Sequence, residues 1–140
     1  MAIIYQNEDV KFPPIKKRII SRWIKDTASE YQKKTGDISY IFCSDAKILE
    51  INKEYLDHDY YTDIITFDYS EADYISGDIF ISLDTVKTNA EKFNTDYFEE
   101  IHRVIIHGIL HLCGINDKGP GEKEHMTVCE NQALEHLKSL

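Results

Sequence analysis

The sequence predicts an α/β (α+β) fold: a mixed sheet of about four strands packed with about five helices. Three observations carry that expectation. Apolar residues switch repeatedly between a period of two and a period of 3.6. The segments so defined follow the order βαβαββααα. And 140 residues with no repeat, low-complexity tract or linker suit one domain, 1–140, able to bury a core without disulfides or a structural metal. Taken in order, AIIYQ (2–6) reads as a short strand. In PPIKKRIISRWIKDTASEYQKK, Ile15, Ile19, Ile20, Trp23, Ile24 and Tyr31 recur at helical spacing, with Pro13 and Pro14 starting the helix and Gly36 ending it. DISYIFCS (37–44) is β-branched and aromatic, a strand. Ser44 or Asp45 then caps DAKILEINKEYL, whose apolar face (Ile48, Leu49, Ile51, Tyr55, Leu56) is interrupted by Asn52. A loop, DHDYY, leads to two strands, TDIITFDYS (62–70) and GDIFIS (77–82). Ser82 or Asp84 caps a third helix reaching about Asn94, and Thr95-Asp96 with Glu99 and Glu100 starts a fourth. That fourth helix carries Phe98, Ile101, Val104, Ile105, Gly108, Ile109 and Leu112, a face broad enough to mark it as the central helix on the sheet. After Gly114 the chain turns through NDKGPG into a closing helix, EKEHMTVCENQALEHLKSL.

Charge and cysteine content limit the function classes. A net charge of −9 argues against a protein that coats nucleic acid by bulk electrostatics. It leaves room for a local patch: IKKRIISRWIK gathers Lys16, Lys17, Arg18, Arg22 and Lys25, either as the solvated face of an amphipathic helix or as a phosphate-binding surface. No apolar run approaches the ~20 residues that span a bilayer, and MAIIYQNEDVKF lacks the basic start and long apolar stretch of a secretory signal, so no membrane partner and a cytoplasmic location are expected. Cys43, Cys113 and Cys129 are odd in number and form no CxxC pair, which points to free thiols.

The chemistry concentrates in HGILHLCGIND, residues 107–117. His107 and His111, four residues apart, are offset by ~40° of rotation and ~6 Å of rise, so both imidazoles leave one face of a helix and can reach one ion. Asp117 could not join them along a continuing helix, which would carry it ~9 Å further on. Gly114 supplies the remedy: a glycine there suits a left-handed helix stop that turns the chain back toward the ion. The spacing resembles that of the metzincin proteases, with a carboxylate as third ligand. Three protein ligands (His107, His111, Asp117) leave a position for water, whose pKa a zinc ion lowers to about 7. Hydrolysis is the implied reaction class. Gly108 stands where HExxH proteases place their general base, which disfavours a peptidase. The bland alternative is a helix that happens to carry two polar residues. His125, eight residues beyond Asp117, is a competing third ligand, and His58, between Asp57 and Asp59, reads as a solvated loop residue.

HGILHLCG resembles the HGxLHLxG motif of the YbeY family of zinc-dependent endoribonucleases, and NKEYLDHDYYTDIITF (52–67) and GDIFIS resemble two further segments of that family in the same order. The resemblance covers roughly residues 49–117. It implies Zn2+ as cofactor, RNA as substrate, and a role in ribosomal RNA maturation and ribosome quality control, with ribosomal proteins as partners. Two positions depart from the family pattern: Asp117 stands where a third histidine is usual, and Leu56 where an arginine is common. The first preserves ligand number while adding negative charge. The second shifts phosphate binding to another cation, with the basic first helix or Lys118 as candidates. Thr62 and Asp63 are expected to orient a ligating histidine or position substrate, unless they merely begin a strand, and the same choice applies to Asp78. Alternation along the strand puts Asp63 with Ile65 on one face and Ile64 with Thr66 on the other. Two other readings stay open: a metzincin-like metalloprotease, and a ribosome-associated binding module whose metal is structural and four-coordinate.

Overall fold

In the computed structural model, which describes residues 2–58 and 62–140, the strands β1 (Ile3–Asn7), β2 (Lys34–Cys43), β3 (Ile64–Asp68) and β4 (Tyr74–Ser82) form one sheet in the order β1-β2-β4-β3. The β1-β2 and β2-β4 pairs are parallel and β3 runs antiparallel on the edge, so the sheet is mixed. The helices are α1 (Lys17–Glu30), α2 (Asp45–Leu56), α3 (Leu83–Lys92), α4 (Tyr97–Leu112) and α5 (Glu122–Leu137). Among the described residues no helix is long and apolar enough to cross a membrane.

Period-two patterning sorts side chains to two faces. Ile38, Tyr40 and Phe42 of β2 and Ile75, Ile79 and Ile81 of β4 point into the main core under α1, α4 and α5. Cys43 and Ile65 point the other way, onto Ile48 and Ile51 of α2, with Phe67 and Phe80 packed against them. The central helix α4 is buried almost all round, through Ile101, Val104, Ile105, Ile106, Ile109 and Leu110. Each such side chain contributes roughly 1.5–3 kcal/mol by leaving water. Two buried polar contacts fix how the layers meet: the Trp23 indole donates to the Ala133 carbonyl of α5 at 2.7 Å, and the Tyr40 hydroxyl to the Ile105 carbonyl of α4 at 2.8 Å. Gly108 allows the close seating of α4, since a Cβ there would stand 3.1 Å from Ile79 and 3.2 Å from Ile64.

Caps settle the alternatives that composition leaves open. Ser44 accepts from the Lys47 amide and Ser82 from the Thr85 amide. Asp45 and Asp84 instead tie the two helix starts together: Asp45 accepts the hydroxyls of Ser82 and Thr85, and the Asp45 amide donates to Asp84. Asp96 caps α4 as expected, accepting from the amides of Phe98 and Glu99 at 3.0 and 3.3 Å.

Several boundaries differ from expectation, among them β3, which is Ile64–Asp68 rather than 62–70. The first helix starts at Lys17, not at Pro13-Pro14, because Ile15 donates to the Pro13 carbonyl in a tight turn before the helix begins. It ends at Glu30, where Gln32 adopts a left-handed φ of 59° and Lys33 folds back onto the Ala28 carbonyl. Gly36 therefore lies inside β2, at the register shift between Thr35 and Ile38, where a Cβ would press on the Ile75 carbonyl at 3.1 Å. Its missing side chain serves strand approach rather than helix termination. β4 begins at Tyr74, earlier than GDIFIS, because Glu71 and Tyr74 close a turn that extends the β3-β4 hairpin. Of the loop DHDYY, residues 59–61 lie outside the described residues.

Candidate metal centre

The C-terminal end of α4 closes in a Schellman arrangement. The Ile115 amide donates to the Leu110 carbonyl at 3.0 Å and the Gly114 amide to the His111 carbonyl at 3.0 Å. Gly114 carries φ +97°, a conformation that L side chains rarely adopt. The reversal delivers Asp117 to the histidines: its Oδ2 lies 3.3 Å from His107 Nε2 and its Oδ1 3.5 Å from His111 Nε2. One donor atom from each of His107, His111 and Asp117 lies within 4.8 Å of the others.

This spacing fits an ion. Donors arranged tetrahedrally at about 2.0–2.2 Å from zinc stand roughly 3.3–3.6 Å apart. The two rings are 4.7 Å apart at 80° to each other, so they converge rather than stack. His107 Nδ1 is already engaged, 2.6 Å from Glu130 Oε2, which leaves Nε2 as the free ring nitrogen on the Asp117 side. Glu130, buried on α5, is held in turn by Arg103 Nη1 at 2.9 Å, while Arg103 Nη2 donates to Asn131 at 2.8 Å. A chain Asn131–Arg103–Glu130–His107 thus orients one of the two imidazoles from behind.

The electrostatics follow from this enclosure. Burial alone would depress His107, but the hydrogen bond and charge of Glu130, with Asp117 and Asp63, hold it above the ordinary histidine range. His111 goes the other way, lowered by burial and by the neighbouring His107. Burial raises Asp63 although His107 opposes the shift, and burial likewise raises Glu100 against the pull of Arg103.

A cleft of about 430 Å³ opens on the site, bordered by Thr62, Asp63, Thr66, Asp68, Asn116 and Lys118 with the three donors. Thr62 and Asp63 are thus brought to the site. The expected face of Asp63 is corrected: it shares the cleft with Ile64 and Thr66, while Ile65 is buried under α2. Asp63 precedes β3, with its carbonyl accepting from the Ser82 amide, so strand alternation does not govern its side chain. His125 is not part of the donor group among the described residues; its Nε2 lies 3.7 Å from Cys129 Sγ on its own helix. Asp78 contacts the Tyr69 hydroxyl at 3.3 Å, on the β3-β4 hairpin away from the cleft. Glu130 and Arg103 escaped the sequence reading. The available signal was an acid four residues after buried Met126 and three before buried Ala133, on the apolar stripe of α5.

Fold and geometry define an α+β protein with a candidate one-ion centre at the end of its central helix. Residues 2–138 match the model of the family described as Endoribonuclease YbeY. The chain is 72% identical over 134 residues to the Endoribonuclease YbeY of Parabacteroides distasonis, covering 96% of this chain and 94% of that one. It is 68% identical to the protein of the same name from Bacteroides fragilis, covering 96% of each. A solution structure from Thermotoga maritima superposes with a TM-score of 0.65 at 23% identity over 99% of this chain and 93% of that one, a likeness of fold. The chain belongs to the Endoribonuclease YbeY family.

Proposed function

We propose that this chain, as one domain over residues 1–140, is a zinc-dependent endoribonuclease that hydrolyses phosphodiesters of single-stranded RNA. Its proposed role is ribosomal RNA maturation at the 3′ end of the small-subunit RNA and ribosome quality control, in the cytoplasm, beside ribosomal proteins. The observation that carries this reading is the convergence of His107, His111 and Asp117 in an open cleft, in a chain whose relatives bear the name endoribonuclease. Two imidazoles and a carboxylate suit zinc, and also admit nickel, iron or manganese. A divalent ion held there supplies Lewis acidity, stabilising charge on a phosphodiester and providing hydroxide at neutral pH. The protein's own groups do the rest. Glu130 fixes the His107 ring and its protonated nitrogen, Thr62 and Asp63 wall the cleft beside the donors, and Lys118 and Asn116 offer N–H donors to a phosphate.

A metalloprotease reading fares worse. Position 108, where such an enzyme carries its glutamate, is packed so closely on Ile79 and Ile64 that even a Cβ would stand 3.1 to 3.2 Å from them, leaving no room for that side chain. A purely structural metal calls for four protein donors, and the group has three among the described residues. His111→Ala tests the proposal: metal content of the purified protein should fall to background, and cleavage of single-stranded RNA should drop at least ~100-fold, with casein untouched by either protein. A metal-free variant that cleaves RNA at the parent rate overturns it.

A further inference from the structure

We propose that the solvent face of α1 is a docking surface for single-stranded RNA, holding its phosphates at a distance from the metal cleft. This rests on the reading of the chain as a ribonuclease. The cleft itself is poor at attracting a polyanion. Its charged border comprises Asp63, Asp68 and Asp117 against Lys118, so a divalent ion brings it only to neutrality. Affinity for a long strand has to come from elsewhere.

The charge distribution points to one place. Residues 16–25 hold five of the sixteen lysines and arginines and none of the twenty-five acids, so this segment carries +5 while the remaining 130 residues carry −14. Arg18, Arg22 and Lys25 lie at i, i+4 and i+7, exposed on the side of α1 opposite its buried residues Ile20, Trp23, Ile24 and Thr27. Arg18 and Arg22 repel one another at a spacing that destabilises an isolated helix, and the first turn has no acid to offset them. Among the described residues, none of Lys16, Lys17, Arg18, Arg22 and Lys25 forms an ion pair; the nearest acid on the helix, Asp26, is engaged by His136 at 2.9 Å. Lys17 instead sits 4.6 Å over the Phe12 ring. Beside these cations runs an open groove with Phe12, Ile15 and Ile19 on its floor, so bases find apolar contact where phosphates find charge. A lipid surface is a poor match, because the apolar face a membrane-binding helix would insert is already buried in the core.

Position adds a length requirement. The cationic strip continues past Ile3 and Tyr5 of β1, one edge of the sheet, whereas the cleft lies at β3, the other edge. With strands ~4.8 Å apart, the edges are about 14 Å apart, a span of several nucleotides. Long strands therefore gain from the surface and dinucleotides do not.

The experiment compares full-length protein with R18E/R22E, and with K87E/K92E as a control that makes the same charge change at exposed positions of α3. Anisotropy of a labelled long oligouridylate, in chelator to prevent cleavage, is titrated between about 50 and 200 mM salt. R18E/R22E should weaken binding at least ~10-fold and flatten the log–log salt slope by about 1.4, as expected for two lost phosphate contacts at ~0.7 each. Metal-loaded hydrolysis of the dinucleotide UpU should be unchanged. Equal binding and slope in R18E/R22E and parent, or equal losses in R18E/R22E and K87E/K92E, overturn the proposal. So does loss of polyglutamate binding with RNA binding intact, which assigns the face to an acidic peptide. Selective loss of RNA binding in R18E/R22E, with no cleavage of the long oligouridylate even by the metal-loaded parent, supports the surface while removing the ribonuclease reading.

Discussion

The two walls of the metal cleft are built differently. On the α5 side, His107 is held by Glu130, Glu130 by Arg103 and Arg103 by Asn131, all within helices packed on the core. On the opposite side, Thr62 and Asp68 come from the ends of β3, and Asn116 and Lys118 from the turn after α4. The first wall does the positioning of a donor. The second is where a substrate has room. The comparison teaches that the helical layer orients His107, while Asp117 and the groups facing a substrate are supplied by the turns and strand ends around it.

The comparison can be broken most directly at Glu130. Glu130→Gln keeps the shape but removes the charge behind His107, and metal affinity by calorimetry should fall ~10–100-fold. A change below twofold would show that the wall is only packing. The same residue sets a pH signature in metal-free protein. Burial works against the charged His107, yet Glu130, Asp117 and Asp63 raise it overall. A raised folded value means that its stabilising contribution is fully present below the unfolded histidine range near ~6.5 and is lost as pH rises through the folded value. Chemical denaturation of the metal-free protein across that window should show the decline, and Glu130→Gln should reduce it. Next in size is Gly114→Ala. A Cβ meets nothing within 4 Å there, so only the φ of +97° opposes it, and the unfolding free energy read from denaturant titration should fall by about 1–2 kcal/mol. Smallest is Lys118→Ala on the open wall: metal affinity should be unchanged and RNA KM should rise a few-fold, about 1 kcal/mol or less. A loss of metal in that variant would erase the distinction between the walls.

Much of this was legible because it is local. The element order, the Asp96 cap and the Gly114 reversal are each decided within a few residues, by hydrogen bonds that a short stretch makes with itself. Pro13-Pro14 and Gly36 misled for the same reason: their local preferences suit helix ends, but one precedes the helix by a turn and the other accommodates the neighbouring strand β4. Asp63 was assigned to the wrong face because alternation applies only inside a strand. Glu130 was only half legible: its place on the apolar stripe of α5 marks a buried acid, but its partner is 23 residues away and nothing in α5 alone says which helix it faces. That the three donors converge follows from eleven consecutive residues, 107–117.

That compactness in sequence has a consequence for assembly. Because His107, His111 and Asp117 are separated by a helical turn and one reversal, bringing them together closes no long loop and sacrifices little chain entropy beyond that of forming the end of α4. The donor cluster is thereby insulated from the order in which the sheet is threaded. Only Glu130 has to arrive from afar, so the docking of α5 onto α4 is what fixes the His107 ring within the set.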